Sequence, residues 1–187
     1  MNAEPDPTIT MRPLSAVGLT LEPQCAAHAP ELFDLLNDPA VYTYLDDAPP
    51  QSCAWLSERF ARLESRRSGD GREHWLNWAI RLDTGELAGF VQATVCEAGL
   101  AWIAFVIGRE FWGRGVAQRA ACAVLDEGFL RYAVTHWLAT ADPRNERSIR
   151  LLTHLGFTHA PLSLGAEHEV AETDVLMRFT PAGSLQA

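Results

Sequence analysis

The chain contains no lysine; all 15 of its basic residues are arginine. That absence excludes the Schiff-base chemistry of ordinary pyridoxal-phosphate enzymes and lysine aldolases, because no side-chain amine can condense with a carbonyl. It also excludes the lysine of phosphate-binding-loop nucleotidases and that of protein kinases. The cysteines are few and scattered, at Cys25, Cys53, Cys96 and Cys122. No two form a CxxC, so they read as free thiols. The histidines make no HxxxH or HExxH pair, and no metal site is expected. A GxSxG nucleophile elbow is missing too. No apolar run approaches the roughly 20 residues needed to span a bilayer, so no membrane partner is expected. Residues 1–17 are acidic and proline-interrupted, without a basic start followed by an apolar block. They are expected to be a flexible tail on a cytoplasmic protein.

The chain has 187 residues, 48% apolar and 21% charged, which is enough to bury one sizeable core and no more. Its 24 acidic residues give a net charge of −9. That balance argues against broad nucleic-acid binding, which needs a basic surface. It favours cationic partners such as amines, although an acidic surface also serves solubility.

Periodicity gives a coarse map. Residues 19–21 alternate and end at Pro23, as a short strand does. Residues 29–37 carry a helical apolar face, with Pro30 in the first turn and Asp38-Pro39 as the stop. A loop over 41–50 holds Tyr42, Tyr44, Asp46 and Asp47. Ser52 then caps a helix expected to reach about Arg67. Residues 75–82 and Leu87–Val95 make a hairpin across Asp83-Thr84-Gly85-Glu86. Leu100–Ile107 is nearly all apolar, which predicts a central strand covered on both faces. A helix follows over Val116–Arg131, then a strand over His136–Ala141. Asn145 caps a helix to Leu155, and Gly156 ends it. Two strands, the last over 174–179, flank a loop at 165–173. The order β-α-α-β-β-β-α-β-α-β-β describes a single α/β (α+β) domain over residues 18–180, with 181–187 as a C-terminal tail.

The most informative stretch is the junction between the long strand and its helix, Gly108-Arg109-Glu110-Phe111-Trp112-Gly113-Arg114-Gly115. The first turn of a helix leaves N–H groups without intrahelical partners, and the helix dipole adds partial positive charge. Glycines at 113 and 115 let an anion approach the backbone. Each dipole contact is worth only about 0.3–1 kcal/mol, so several must converge on one anion. A tight turn needing glycine for geometry alone would look similar. A dinucleotide fingerprint fails because Gln118 stands where Gly or Ala is required.

The segment Trp112-Gly113-Arg114-Gly115-Val116-Ala117 resembles the acetyl-CoA pyrophosphate loop of the GCN5-related N-acetyltransferases, Gln/Arg-Gly-x-Gly-x-Gly/Ala, with Trp112 at the divergent first place. Phe111-Trp112-Gly113 is similar to the branch containing the ribosomal-protein-alanine N-acetyltransferases (RimJ/RimL-like). Downstream, Asn145-x-x-Ser148 with Leu155-Gly156-Phe157 resembles a second family segment, and Asn37-Asp38-Pro39 with Val41 a weaker third. Arg119 departs from the Glu that many relatives carry just after the loop.

The resemblance implies a central, mixed, mostly antiparallel, splayed sheet flanked by helices. It implies acetyl-CoA as co-substrate and a primary amine as acceptor, either a small molecule or a protein N-terminus. Val106 and Ile107 would pair with the pantetheine amides. The amides of Gly113, Arg114, Gly115, Val116 and Ala117 would hold the diphosphate, and Asn145 would touch the pantetheine arm. Ser148 would protonate the departing thiolate, or would simply satisfy a first-turn backbone group. Glu167 is the leading candidate base and Glu172 the second, within a loop that also reads as a solvated acidic surface. Tyr42, Tyr44 and Trp78 would line the acceptor site. The resemblance also allows a homodimer. Two other readings stand beside transfer to an amine: a regulatory module that binds CoA without catalysis, and an acyltransferase using a longer donor such as succinyl-CoA.

Overall fold

The computed structural model describes residues 10–165 and 170–180. Strand β1 (Leu14–Ala16) turns at Gly18 into β2 (Leu19–Pro23), which leads to α1 (Ala29–Leu36) and α2 (Cys53–Leu63). Then come β3 (His74–Leu82), β4 (Leu87–Val95), β5 (Leu100–Ile107), α3 (Val116–Arg131), β6 (His136–Ala141), α4 (Glu146–His154), β7 (Thr158–His159) and β8 (Val175–Phe179). Eight strands form one sheet in the order β1-β2-β3-β4-β5-β6-β8-β7. Among the described residues its one parallel contact is β5 with β6, across the α3 connection. The expected element order holds, with one strand added at its start.

That added strand corrects the expected tail. Leu14 is buried, and Leu14–Ala16 pair with 19–21 of β2. Just before it, Arg12 donates to both carboxylate oxygens of the buried Glu127 in α3, and Trp78 Nε1 donates to the Arg12 carbonyl at 3.0 Å. The ordered domain therefore begins ahead of residue 18.

Side-chain alternation along β3 divides the core in two. Leu76, Trp78 and Ile80 join the cluster beneath α3, with Val116, Ala120, Ala121 and Val124 of that helix. Ala79, on the opposite face, joins Leu32, Leu36, Leu56 and Phe60 of α1 and α2. Helices thus cover both faces of the sheet. Helix α2 stops short of Arg67 because Arg66 takes a left-handed φ of 58° and its guanidinium donates to the Gln24 carbonyl. Arg67 then bridges to His74 at the start of β3. The four cysteines are free.

Candidate active site

Strand β5 pairs along its whole length with β4, but with β6 only over 100–102. Beyond Trp102 the two strands part, while β6 continues to Ala141 against β8. This is the splay, and it explains why β5 is not covered on both faces as its apolar run predicts. Ala104 is exposed, and Phe105 and Val106 are half-buried.

The direction of the free backbone groups follows from strand alternation. Cys96 N–H donates to the Leu100 carbonyl at 2.8 Å, and Gly108 N–H donates to the Ala88 carbonyl at 2.9 Å. Both place even-numbered β5 residues toward β4, and the pairing between them shows no bulge. Ile103, Phe105 and Ile107 therefore turn their amide groups toward the gap. Of the two residues expected to meet a pantetheine arm, Ile107 faces it and Val106 is committed to β4. The Ile107 carbonyl already accepts a hydrogen bond from Trp112 Nε1 at 2.8 Å.

The gap opens into a cavity of about 1200 Å3 lined by both strands, the loop at 40–46 and the start of both following helices. That volume exceeds the roughly 300–1,000 Å3 of ordinary small-ligand sites. Gly115, at φ 69°, caps α3, and Gly113 takes φ 75°. The first helical bond runs from Arg119 N–H to the Gly115 carbonyl at 3.1 Å. The N–H groups of Val116, Ala117 and Gln118 precede it and lack an intrahelical partner. Gly113, Gly115, Val116 and Ala117 all line the cavity. Arg114 does not. Its N–H turns back toward the Phe111 carbonyl, and its guanidinium lies 5.7 Å from the Phe111 ring centroid.

Helix α4 begins on the same cavity. Asn145 Oδ1 accepts from Ser148 N–H at 3.2 Å, so Asn145 caps the helix through its side chain. Among the described residues the Ser148 hydroxyl makes no hydrogen bond, and Ser148 lines the cavity. Between them Arg147 lays its guanidinium over Trp112, 4.2 Å from the ring centroid.

Part of the cavity wall is acidic. Tyr44 and Asp46 from the loop, Asp142 after β6, and Asp174 before β8 line it together. A bidentate Arg144 holds the Asp142 carboxyl down at about 2. Asp174 moves the other way, raised first by burial and then by the charges of Asp46 and Asp142. Asp174 and Arg147 are the site residues that sequence reasoning missed. Asp174 meets Asp142 only because β8 pairs with β6 through Ala141 and Val175. Arg147 had one local sign, a cation next to a helix cap.

Two expected acceptor residues lie elsewhere. Trp78 is fully buried in the core beneath α3, where its aromatic bulk packs the sheet. Tyr42 does not line the cavity; burial and then Asp47 push its phenol up, with Arg59 opposing. Glu167 lies outside the described residues. Among those described, no group of three or more His, Cys, Asp or Glu side chains could hold a metal, and no helix is long and apolar enough to cross a membrane.

A splayed mixed sheet with two helix N-termini facing its gap is the architecture of an acyl-carrier-dependent transferase fold. The chain belongs to the GNAT acetyltransferases: the model of the acetyltransferase (GNAT) domain matches residues 18–158. It is 32% identical over 135 residues to the Bacillus subtilis protein YkkB, covering 69% of this chain and 75% of YkkB. Its fold is similar to that of Mycobacterium smegmatis RimJ in complex with CoA-disulfide, with TM-score 0.75, 22% identity and coverage of 99% and 93% of the two chains. It is similar also to the Vibrio cholerae spermidine N-acetyltransferase in complex with CoA and spermine, with TM-score 0.68, 19% identity and coverage of 87% and 94%.

Proposed function

We propose that this protein transfers an acetyl group from acetyl-CoA to a primary amine by direct attack within a ternary complex. The observation that carries the reading is the meeting of the β5–β6 gap and the N-termini of α3 and α4 in one cavity. Such a cavity can hold an extended thioester carrier along the free edge of β5, with its diphosphate at the amides of 116–118.

The acetyl carbonyl would then lie between the diverging strands. An N–H of the gap-facing β5 residues Ile103 or Phe105 would stabilise the oxyanion that forms on attack. The amine must react as the free base, because an ammonium has no lone pair. Asp174, whose carboxyl is raised by burial and by Asp46 and Asp142, would take a proton from it. Glu167 and Glu172 are the other carboxylates proposed for this step. The nitrogen attacks the thioester carbon, the carbon–sulfur bond breaks, and the surplus proton on the nitrogen passes through the Ser148 hydroxyl to the departing thiolate, leaving the serine neutral. Orientation within the cavity supplies much of the remaining acceleration.

The carboxylates of Asp46 and Asp174 on the cavity wall favour a positively charged amine, whether a polyamine-like small molecule or a protein N-terminus. The test is an amine panel with acetyl-CoA, following release of free thiol and the mass of the product. Turnover of at least one cationic amine is expected. CoA binding without turnover of any amine in a broad panel would overturn the catalytic reading.

A further inference from the structure

We propose that Trp112 and Arg147 form a positioning pair, in which the indole holds the arginine of α4 at the mouth of α3 as the cationic clamp for the carrier's diphosphate. This rests on the acetyl-CoA reading above and adds two residues to it.

Three observations carry it. First, Trp112 is fixed from behind. Its Nε1 donates to the Ile107 carbonyl at 2.8 Å, which ties the ring to the last residue of β5 and sets its plane. Second, the Arg147 guanidinium stacks on that ring at 4.2 Å, well within the distance at which a cation is attracted to an indole face. Third, both residues line the cavity, beside Gly113, Gly115, Val116 and Ala117.

The neighbouring arginines differ. Arg144 is held bidentately by Asp142, and Arg150 pairs with Glu146 at 2.9 Å. Among the described residues Arg147 has an aromatic partner and no carboxylate partner. Stacking leaves all the N–H donors of a guanidinium available in its plane, whereas a carboxylate would occupy two of them. Trp112 thus orients a cation without neutralising it. The diphosphate would receive uncharged amides from one helix and a full positive charge from the next. An arginine free to rotate would lose more entropy on each binding event.

Calorimetric titration with CoA tests the pair in the full-length protein. Arg147→Gln is expected to weaken CoA binding by about tenfold and to flatten its salt dependence, since a screened charge contact has been removed. Arg147→Lys is expected to recover only part of the affinity, lacking the planar stack. Trp112→Leu is expected to weaken binding to a similar degree, and the double variant to be no weaker than Arg147→Gln by itself. Arg72→Gln, which removes an exposed arginine paired with Asp70, serves as the charge control. If Trp112→Leu fails to fold, Trp112→Phe replaces it; without the Nε1 bond to the Ile107 carbonyl it is expected to weaken CoA binding severalfold, and unchanged affinity would overturn the positioning role of Trp112. Equal affinity and equal salt dependence in wild type and Arg147→Gln would overturn the clamp while leaving the acetyl-CoA reading intact. Additive losses in the double variant would overturn the positioning role of Trp112. Failure of the wild type itself to bind CoA would overturn the underlying reading first.

Discussion

Gly89 of β4 lies so close to Val106 of β5 that a Cβ placed on it would stand 2.0 Å from the Val106 carbonyl oxygen and 2.9 Å from Ile107 Cα. Its φ of 145° is also one that side chains rarely adopt. The obstacle is backbone, so it cannot swing aside. Gly89→Ala is therefore expected to cost on the order of 2 kcal/mol or more and to displace the end of β5 that lines the cavity. Urea unfolding reads the first effect and CoA titration the second. A variant with unchanged midpoint and affinity would show that the two strands can separate there freely.

The role proposed for Ser148 is in chemistry rather than in binding. Its N–H already satisfies the Asn145 cap, and the residue lines the cavity with no hydrogen bond to its hydroxyl among the described residues. Ser148→Ala should lower kcat by roughly 100-fold, the scale of one proton-transfer group, with CoA affinity within a factor of two or so of wild type. A wild-type rate would assign thiolate protonation to water.

Asp174 predicts a pH effect. Its carboxyl is raised by burial and by two neighbouring carboxylates, so it ionises later than an ordinary aspartate as pH rises. A base must be ionised to act. The acidic limb of kcat/KM is expected above the 3.8 of an ordinary aspartate. Asp174→Asn should remove that limb and lower the rate at its plateau. Steady-state profiles with one accepted amine check both features; an unchanged limb in the variant would transfer the role to another carboxylate.

His74 predicts a stability effect. It is buried at the start of β3, and burial, then Arg67, lower its pKa from 6.5. The unfolded chain therefore binds this proton more readily than the folded one. The contribution of His74 is complete above about pH 6.5 and is lost as pH falls below it toward the folded value. Melting temperature should decline on acidification through that window, and His74→Gln should flatten the decline. A variant whose melting curve tracks the wild type at every pH would refute this.

Much of the scaffold was legible because its signals are local. Leu87–Val95, Leu100–Ile107, Val116–Arg131 and His136–Ala141 fall where apolar periodicity and glycine punctuation put them. The loop glycines 113 and 115 adopt the positive φ that only residues without a Cβ adopt readily. Trp78 and Tyr42 went astray because an aromatic side chain reads the same in a core as in a binding site. The N-terminal strand was missed because Leu14-Ser15-Ala16 has one large apolar residue where Leu19-Thr20-Leu21 has two, so no alternation shows.

The sequence by itself determined the order of the elements from residue 19 onward, the turn glycines and the two helix caps, since each depends on residues within a few positions of one another, and its composition alone excluded every lysine-dependent chemistry. Tertiary structure decided where β5 and β6 part, which β5 amides face the gap, that Arg147 rests on Trp112, and that Asp46, Asp142 and Asp174 share part of the cavity wall. Those contacts join residues 32 to 128 positions apart. Their existence follows from strand pairing and packing across the whole sheet, and no short-range pattern encodes it.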